Sequence, residues 1–336
     1  MKWTFLGGAL GLIAPTDALI RFGCSQLVVD RLDPLVQPGV APSSHLHQIV
    51  GGNSFNVTMD PKNEISSMAT CTTCQFSEDF SNYWTAVMYF KAANGTYHRV
   101  PQIGNEAFEN ANGGMTIYYM QDALYNTDQK SKVTAFKQGF RMIIGSPTAT
   151  TKDEAKRFRQ ITYTCLEEFG TRTPERMEFP SKYCPMGILT AVRFPTCWDG
   201  KNLDSPDHMS HMAYPVNGSF ESGGPCPDSH PVRTPQLFYE TNWDTRPFKD
   251  IWPTDGSNPL VLSNLAIDNK GYSYHADYVF GWKGDALQRA MDSNCYVNCT
   301  TLKTQTMVEQ NNCSIQNVVK EPIDGWLAQL PGNPSG

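Results

Sequence analysis

The chain of 336 residues has no cluster of basic side chains, although it contains 27 Lys and Arg. These residues are dispersed along the sequence, and the formal net charge is -6. Proteins that bind nucleic acid or anionic membranes usually present a basic patch or stripe to their partner. The sequence therefore predicts no nucleic-acid partner and no membrane partner.

Short catalytic motifs of several large enzyme classes are missing as well. The sequence has no Gly-x-Ser-x-Gly elbow, no His-Glu-x-x-His pair, no phosphate-binding glycine loop and no dinucleotide fingerprint. Each of these motifs places the groups that its chemistry needs at a fixed spacing. Their absence argues against classical serine hydrolases, zincins, nucleotide-dependent enzymes and nicotinamide dehydrogenases.

Long apolar runs are absent except at the start of the sequence, where one extends from Trp3 to Pro15 after the positive Lys2. This run is shorter than the roughly 20 residues that span a bilayer. Small residues at Thr16 and Ala18 fit a signal-peptidase cleavage site. We predict that residues 1–18 are a signal peptide and that the mature protein is secreted, extracellular or associated with the cell wall.

The cysteines and the glycosylation sequons agree with export. All ten cysteines follow Ala18, and an even number in an exported chain predicts up to five disulfides, whose pairing the sequence leaves open. A four-cysteine zinc site at Cys71, Cys74, Cys295 and Cys299 is the alternative that this spacing allows. Sequons that predict a glycoprotein begin at Asn56, Asn94, Asn217, Asn298 and Asn312.

Patterns of long amphipathic helices are scarce, whereas short β-favouring runs between turn residues are common. The runs are Gln26–Val29, Phe55–Met59, Tyr83–Phe90, Thr96–Pro101, Met115–Met120, Gly139–Ile144, Leu189–Phe194, Leu237–Tyr239 and Tyr278–Phe280. Helices are predicted only at Lys152–Glu168 and Asp285–Met291. We therefore predict a mainly β, disulfide-stapled protein with few short helices, folded as a single β-sandwich or jelly-roll-like domain.

No linker, repeat or low-complexity stretch divides the sequence. We expect one β-rich domain over residues 19–310, followed by a loosely held segment at 311–336.

Histidines in polar clusters are the main candidates for a functional site. His45 and His47 lie in an extended-looking stretch, where residues two apart share a face and can address one ligand. His-x-His is a frequent metal-ligand spacing in β proteins, and imidazole suits proton transfer equally well. The alternative is a pair of ordinary hydrogen-bonded histidines beneath the Gly51-Gly52 turn.

A second cluster is the segment from Asp204 to His211. Within one helical turn, Asp204 and Asp207 would share a face, as would His208 and His211. Carboxylates beside imidazoles can supply an acid and a base at one pH, or can hold a cation. The alternative is a simple capped turn before the chain continues.

Further candidates repeat these residue types. Asp277 lies two residues from His275 and could orient its ring within a strand, and Arg233 near His230 could bind hydroxyls or a carboxylate. Trp198 and Trp282 lie in Gly- and Asp-rich segments, and indole faces stack well on sugar rings. The predicted catalytic residues are Asp204, Asp207, His208, His211, His275 and Asp277, and the predicted substrate-binding residues are His45, His47, Gln48, Asn53, Trp198, His230, Arg233 and Trp282.

Several of these runs carry a resemblance to a known family. They are RFGCSQLVVDRLDPLVQPG, HLHQIVGGNSFNVTMDP, CTTCQFSEDFSNYWTAVMYF, FPTCWDGKNLDSPDHMSH, CPDSHPVRTPQLFYE and HADYVFGWKGDALQRAMD. From about Arg21 to Lys303 the sequence resembles a fungal family of secreted proteins, the domain of unknown function numbered nineteen ninety-six. The resemblance implies a fungal extracellular protein whose relatives sometimes carry WSC modules linked to wall glucan. It supplies no catalytic residues.

Two functions are consistent with these observations. The first is a carbohydrate-active enzyme, a glycoside hydrolase or polysaccharide lyase, that acts on a polysaccharide or cell-wall glycan through a cleft lined by His and Asp. The second is a non-catalytic extracellular protein that binds wall glycan or a metal ion through the same histidines. No cofactor is certain, but a divalent metal such as calcium, zinc or copper is a candidate. If the clusters form one site, most of them should line one open cleft.

The mature chain should start near Leu19, with most of its cysteines oxidised. Intact mass after deglycosylation, measured with and without reduction, reports both properties. An uncut start at Met1 or several free thiols would contradict the prediction.

Overall fold

The computed structural model describes residues 19–120, 132–217, 223–263, 269–293, 295 and 298–332. The predicted signal peptide lies outside these residues. The strands are β1 Leu19–Cys24, β2 Val28–Asp30, β3 His47–Gly51, β4 Asn82–Ala86, β5 Met88–Lys91, β6 Tyr97–Arg99, β7 Gln102–Ile103, β8 Met115–Met120, β9 Arg141–Gly145, β10 Ile161–Glu168, β11 Thr171–Arg172, β12 Ile188–Arg193, β13 Cys197–Trp198, β14 Met212–Ala213, β15 Val232–Arg233, β16 Gln236–Trp243, β17 Leu260–Leu262, β18 His275–Val279 and β19 Trp326–Leu327. The helices are α1 Ile65–Met68, α2 Lys152–Ala155, α3 Ala286–Met291 and α4 Met307–Asn312, with 3-10 turns at Lys156–Phe158 and Arg246–Ile251.

Two antiparallel sheets form the centre of the fold. The larger has the order β1-β8-β16-β12-β10-β11, with β7 paired to β16, and the second has the order β2-β3-β4-β18-β9. Smaller sheets are formed by β17-β5-β6-β19 and by β14-β13-β15. The prediction of a mainly β, sandwich-like fold with few short helices is confirmed.

The two large sheets pack through aromatic side chains. Tyr83 and Tyr278 of the five-stranded sheet face Tyr239 and Tyr119 of the larger one. The rings of Tyr83 and Tyr239 are 5.6 Å apart, and the hydroxyls of Tyr119 and Tyr278 lie 2.9 Å apart. Because side chains alternate along a strand, the neighbours of these tyrosines point to the opposite face of the five-stranded sheet.

That opposite face is also covered. Ile49, Trp84 and Ile143 pack there against residues from the connections on either side of β3, among them Leu32 and Phe55. Every residue of β3, β4, β9 and β18 is consequently buried. A sheet buried on both faces does not show a strict alternation of polar and apolar residues, and these strands accordingly bury polar residues such as Gln48, Thr85 and Asp277 as well as apolar ones.

The predicted helix Lys152–Glu168 is wrong over its second half. Thr151 and Glu154 form a capping box that starts α2, but the helical turns end at Phe158 and β10 begins at Ile161. Alternating β-branched and aromatic residues of β10 favour a strand and pair with β12. The helix predicted at Asp285–Met291 is confirmed as α3, and Phe55–Met59 is not a strand.

The ten cysteines form five disulfides, which confirms the predicted disulfide set and contradicts the four-cysteine zinc site. The pairs are Cys24–Cys74, Cys71–Cys313, Cys165–Cys184, Cys197–Cys226 and Cys295–Cys299. The paired half-cystines cannot act as thiolate ligands. Among the described residues no helix is long and apolar enough to cross a membrane.

The carboxy-terminal segment is held more firmly than we expected. Cys313 is bonded to Cys71, and the Asp30 carboxylate in β2 accepts hydrogen bonds from the amides of Val318 and Val319. Farther along, Leu330 is buried in a small apolar cluster. The described part of this segment, up to residue 332, is therefore packed against the sandwich.

Asp79 carries a buried carboxylate at one end of a chain of hydroxyls. It accepts a hydrogen bond from the Tyr83 hydroxyl at 2.6 Å, and the Tyr83 and Tyr119 hydroxyls lie 2.9 Å apart. Burial raises the pKa of Asp79 to about 7, although hydrogen bonds from Tyr83 and Ser81 oppose the shift. The folded protein therefore holds the proton at pH values where the unfolded chain has lost it.

This shift predicts that stability falls as the pH rises. The contribution of protonated Asp79 to the free energy of unfolding is fully present below about pH 4 and is lost as the pH rises to about 7. The change is on the order of a few kcal/mol. Asp79→Asn removes the titration, so its free energy of unfolding should depend less on pH across this window. Denaturant unfolding at several pH values measures the slope, with the exposed Asp250→Asn as control. Equal slopes for Asp79→Asn and wild type would contradict the prediction.

Candidate metal centre and adjoining cleft

Strand register brings two distant histidines together. His47 in β3 pairs with Ala86 in β4. In β18, Ala276 pairs with Thr85 of β4, and the same register places His275 next to Ala86. The three residues therefore form one row across the outer face of the five-stranded sheet. The small Ala86 side chain leaves room for the two imidazoles to meet above it.

His45 joins this pair from the residues just before β3. In extended backbone it shares a face with His47, as the sequence predicts, while Leu46 between them is buried in an apolar cluster. The His275 Nε2 atom lies 2.9 Å from His45 Nε2 and 3.0 Å from His47 Nε2. One ligand atom from each ring lies within 4.8 Å of the other two.

The other nitrogen of each ring has a partner. His47 Nδ1 lies 2.8 Å from the Leu32 carbonyl oxygen, and His275 Nδ1 lies 3.2 Å from that of Ser273. A carbonyl can only accept, so Nδ1 carries the proton in both rings and Nε2 is left with a lone pair. His45 Nδ1 is 2.9 Å from the Ser44 hydroxyl, which is compatible with the same tautomer.

Burial keeps these rings neutral. His45, His47 and His275 are 3%, 0% and 2% exposed. Desolvation lowers the pKa of His47 and His275 to about 4 and that of His45 well below its usual value. The Nε2 lone pairs of His47 and His275 face one another at 3.0 Å, and they repel unless a cation lies between them. The cluster therefore has the donor atoms of a candidate metal-binding site, with Nδ1 partners of the kind that orient metal-bound histidines.

Two buried carboxylates lie at this centre. Asp277 is fully buried with an oxygen 4.0 Å from His275 Nε2, and among the described residues neither of its oxygens has a hydrogen-bond partner. Asp33 is 2% exposed and interacts electrostatically with His275. Burial raises the pKa of both carboxyl groups, to the greatest degree at Asp277. The Asp277 carboxyl group, buried without a hydrogen-bond partner beside His275, is a candidate oxygen ligand for a cation at this centre.

The donor set selects among metals. Three imidazole nitrogens suit zinc, copper and other first-row ions, whereas calcium takes oxygen ligands. Tetrahedral zinc with bonds of about 2.0–2.1 Å would place its nitrogen ligands about 3.3 Å apart. Two of the three separations, 2.9 and 3.0 Å, lie within a few tenths of an ångström of this value, and all three ligand atoms lie within 4.8 Å of one another. Of the metals we considered, zinc and copper fit this centre and calcium does not.

A cleft of about 490 Å³ adjoins the centre. Its lining includes Ile143 and Gly145 of β9, which pair directly with Asp277 and His275. Gly145 has φ +97° and no side chain, so no side chain at this position stands between the cleft and His275. The cleft therefore ends one strand away from the candidate ligands.

His208 lies in the wall of this cleft. Its Nδ1 is 2.7 Å from an Asp204 carboxylate oxygen, and this hydrogen bond raises the pKa of His208. The charge of Asp33 acts on both His208 and His275. The cleft histidine and the candidate metal centre are therefore linked electrostatically through one buried carboxyl group.

Two other members of the second cluster have mainly structural contacts. Asp207 accepts hydrogen bonds from the Ser205 hydroxyl and the Ser210 amide, which hold the turn and lower its pKa. His211 is 1% exposed, with Nδ1 2.8 Å from the Ser205 hydroxyl. Asp207 lines the cleft beside His208, whereas His211 lies beneath the turn.

The remaining predicted positions do not converge on the centre. His230 Nε2 bonds the Ser210 carbonyl at 3.0 Å, and Arg233 is buried, where it donates to Thr196 and to the Gly224 carbonyl. Asn53 fixes a turn by accepting from the Thr70 amide. These contacts occupy groups that we had assigned to substrate, so we leave them out of the proposed site.

Two tryptophans and a glutamine are enclosed by protein. Trp282 is 2% exposed, and its Nε1 donates to the Tyr119 hydroxyl at 3.0 Å. Trp198 is 6% exposed, and its Nε1 donates to the Asn202 carbonyl. Gln48 points into the sandwich and donates to Thr85. Their faces are not available to stack on a sugar, and we leave them out as well.

Sequence reasoning missed Asp33 and the backbone groups that orient the imidazoles. Asp33 stands alone in the run Leu32-Asp33-Pro34, without a neighbouring histidine to draw notice. The carbonyls of Leu32 and Ser273 carry no sequence signal at all, since every residue has one.

Comparison with protein families agrees with the resemblance described above. Residues 33–282 match the family described as "Domain of unknown function (DUF1996)". The chain belongs to this family. No curated protein and no solved structure matches the chain. The DUF1996 match contains all of the candidate ligands, Asp33 and the His208 cleft.

Metal binding can be measured directly. We expect apo protein to take up close to one equivalent of zinc. Free zinc at about 100 times its Kd should raise the free energy of unfolding by about 2.7 kcal/mol. His47→Ala removes one ligand and should abolish both the binding and the rise in melting temperature. His230 contacts Ser229 and Ser210 and none of the three Nε2 atoms. His230→Ala should therefore retain zinc binding and the rise in melting temperature. Undiminished zinc uptake by His47→Ala would contradict the site.

Proposed function

We propose that this DUF1996 protein is a secreted, metal-dependent protein that acts on a polysaccharide of the fungal cell wall or its surroundings. The observation that carries the proposal is the convergence of three buried Nε2 atoms, each on a ring with a bonded Nδ1. A divalent ion there would polarise a substrate oxygen or lower the pKa of a bound water. The adjoining cleft provides room for a sugar chain.

Export and substrate class rest on other features. The sequence pattern of residues 1–18, five disulfides and five sequons support an extracellular site of action. All five sequon asparagines are exposed, so the structure leaves each accessible to a glycan. The choice of polysaccharide as substrate follows from the resemblance to wall-associated fungal proteins and from the cleft, whose lining combines charged side chains with the aromatic ring of Phe158.

The second candidate function is a non-catalytic protein that binds a metal ion. The near-complete burial of His45, His47 and His275 favours it, because structural metal sites are closed whereas catalytic sites keep an open position. In that case the ion would stabilise the outer face of the five-stranded sheet without performing chemistry.

Activity of metal-loaded and metal-stripped protein separates the two functions. We expect the loaded protein to release products from at least one member of a panel of fungal wall polysaccharides. Removal of the ion with a chelator should lower the rate by about 100-fold, because the ion contributes several kcal/mol to catalysis, and zinc or copper should restore it. His47→Ala should lose activity in the same way, and His230→Ala serves as its control.

Two outcomes would contradict the enzymatic proposal. Metal uptake without product release from any polysaccharide would leave the binding function. Activity that persists without metal and in His47→Ala would remove the metal from the mechanism.

A further inference from the structure

His208 has the features of a proton-transfer group rather than of a structural histidine. It lies in the cleft wall, and among the described residues none forms a hydrogen bond with its Nε2. Its Nδ1 is bonded to the Asp204 carboxylate, which fixes the ring orientation and leaves Nε2 for a substrate. By contrast, His230 uses both of its ring nitrogens in contacts with Ser229 and Ser210.

The backbone at His208 is fixed in an uncommon conformation. Its φ of +54° is in the left-handed region, which is uncommon for residues other than glycine, although Asn, Asp and His adopt it more often than most. The conformation is held by hydrogen bonds from the His208 amide to Ser205 and from the Ile143 amide to the His208 carbonyl. The latter bond attaches His208 to β9, the strand that separates the cleft from His275 and Asp277.

The charges around His208 come from three elements. Asp204 on its own turn raises the pKa of His208, and Asp33 from the connection between β2 and β3 adds to that effect. Arg141 in β9 opposes both. The net effect of these charges and of partial burial raises its pKa, so a protonated Nε2 is available under mildly acidic conditions.

The lining of the cleft also includes groups that suit a sugar. Phe158 is partly exposed there and presents an aromatic ring, and the exposed Arg157 guanidinium lies beside it. Aromatic faces pack against sugar rings, and guanidinium groups donate hydrogen bonds to their oxygens. A glycan bound by these residues would share the cleft with His208.

We propose that His208 is the general acid of the cleft and that Asp204 is its positioning residue, an inference that rests on the proposed polysaccharide-cleaving function. In hydrolysis of a glycosidic bond, the bond between the anomeric carbon and the leaving oxygen breaks. The His208 Nε2 proton goes to that oxygen. Water adds its hydroxyl to the anomeric carbon and returns its proton to Nε2, so atoms and charges balance.

The test uses variants that tolerate the backbone at this position. His208→Asn can adopt positive φ but cannot donate the proton, and should lower kcat by about 10²- to 10⁴-fold while zinc uptake stays unchanged. Asp204→Asn keeps a hydrogen-bond acceptor but removes the charge. It should move the alkaline limb of the kcat/KM profile to lower pH, by about one unit or more.

The outcomes distinguish this role from the metal centre. Loss of activity in His47→Ala together with full activity in His208→Asn would overturn the role of His208 and leave the proposed function standing. Loss of zinc from His208→Asn, or an unchanged pH profile in Asp204→Asn, would also overturn it. A wild-type protein that cleaves no polysaccharide would overturn both proposals. His230→Ala, which should keep its activity, zinc and pH profile, is the matched control.

Discussion

The pairing of β3, β4 and β18 is the constraint on which the candidate site depends, because it sets His47, Ala86 and His275 in one row. A slip of one residue in either pairing would turn a whole strand over and send its histidine to the other face. The inner residues oppose such a slip, since it would also remove Val50 of β3 or Tyr278 of β18 from the core between the sheets. Core packing on one face thus fixes the geometry of the ligands on the other.

The centre combines groups that are unfavourable without an ion. Neutral imidazoles, an unpaired Asp277 carboxyl group and a nearby Asp33 are all removed from water. In the absence of metal, each of these groups retains the cost of its burial. The free energy of metal binding would therefore also be free energy of folding, and the covering segments that bury the face would be coupled to occupancy.

The sequence allowed the strands and the pairwise relations within them to be predicted, but not their assembly. Met115–Met120 coincides with β8, and His45 and His47 share a face because extended backbone alternates. The contact between His45 and His275 joins residues 230 positions apart and depends on β4 lying between their strands, which no local pattern encodes. The same limit explains β10, where pairing with β12 decided between a helix and a strand. Trp282 shows the reverse error, because its Gly- and Asp-rich flanks suggested an exposed loop around a residue that is part of the core.

The folding unit extends beyond the family match. Residues 33–282 omit β1, which pairs along all six residues of β8, and they omit Cys313 and Leu330, which pack in separate apolar clusters. A chain shortened to the matched residues would leave β8 as an unprotected edge, and it would leave Cys71 and Cys74 without their disulfide partners Cys313 and Cys24. Unpaired edges and uncovered apolar faces promote association between molecules. For the DUF1996 chain, the residue range of the family match is therefore shorter than the range needed to cover its edge strand and apolar surfaces. A protein trimmed to the matched residues is expected to aggregate before its chemistry could be assayed.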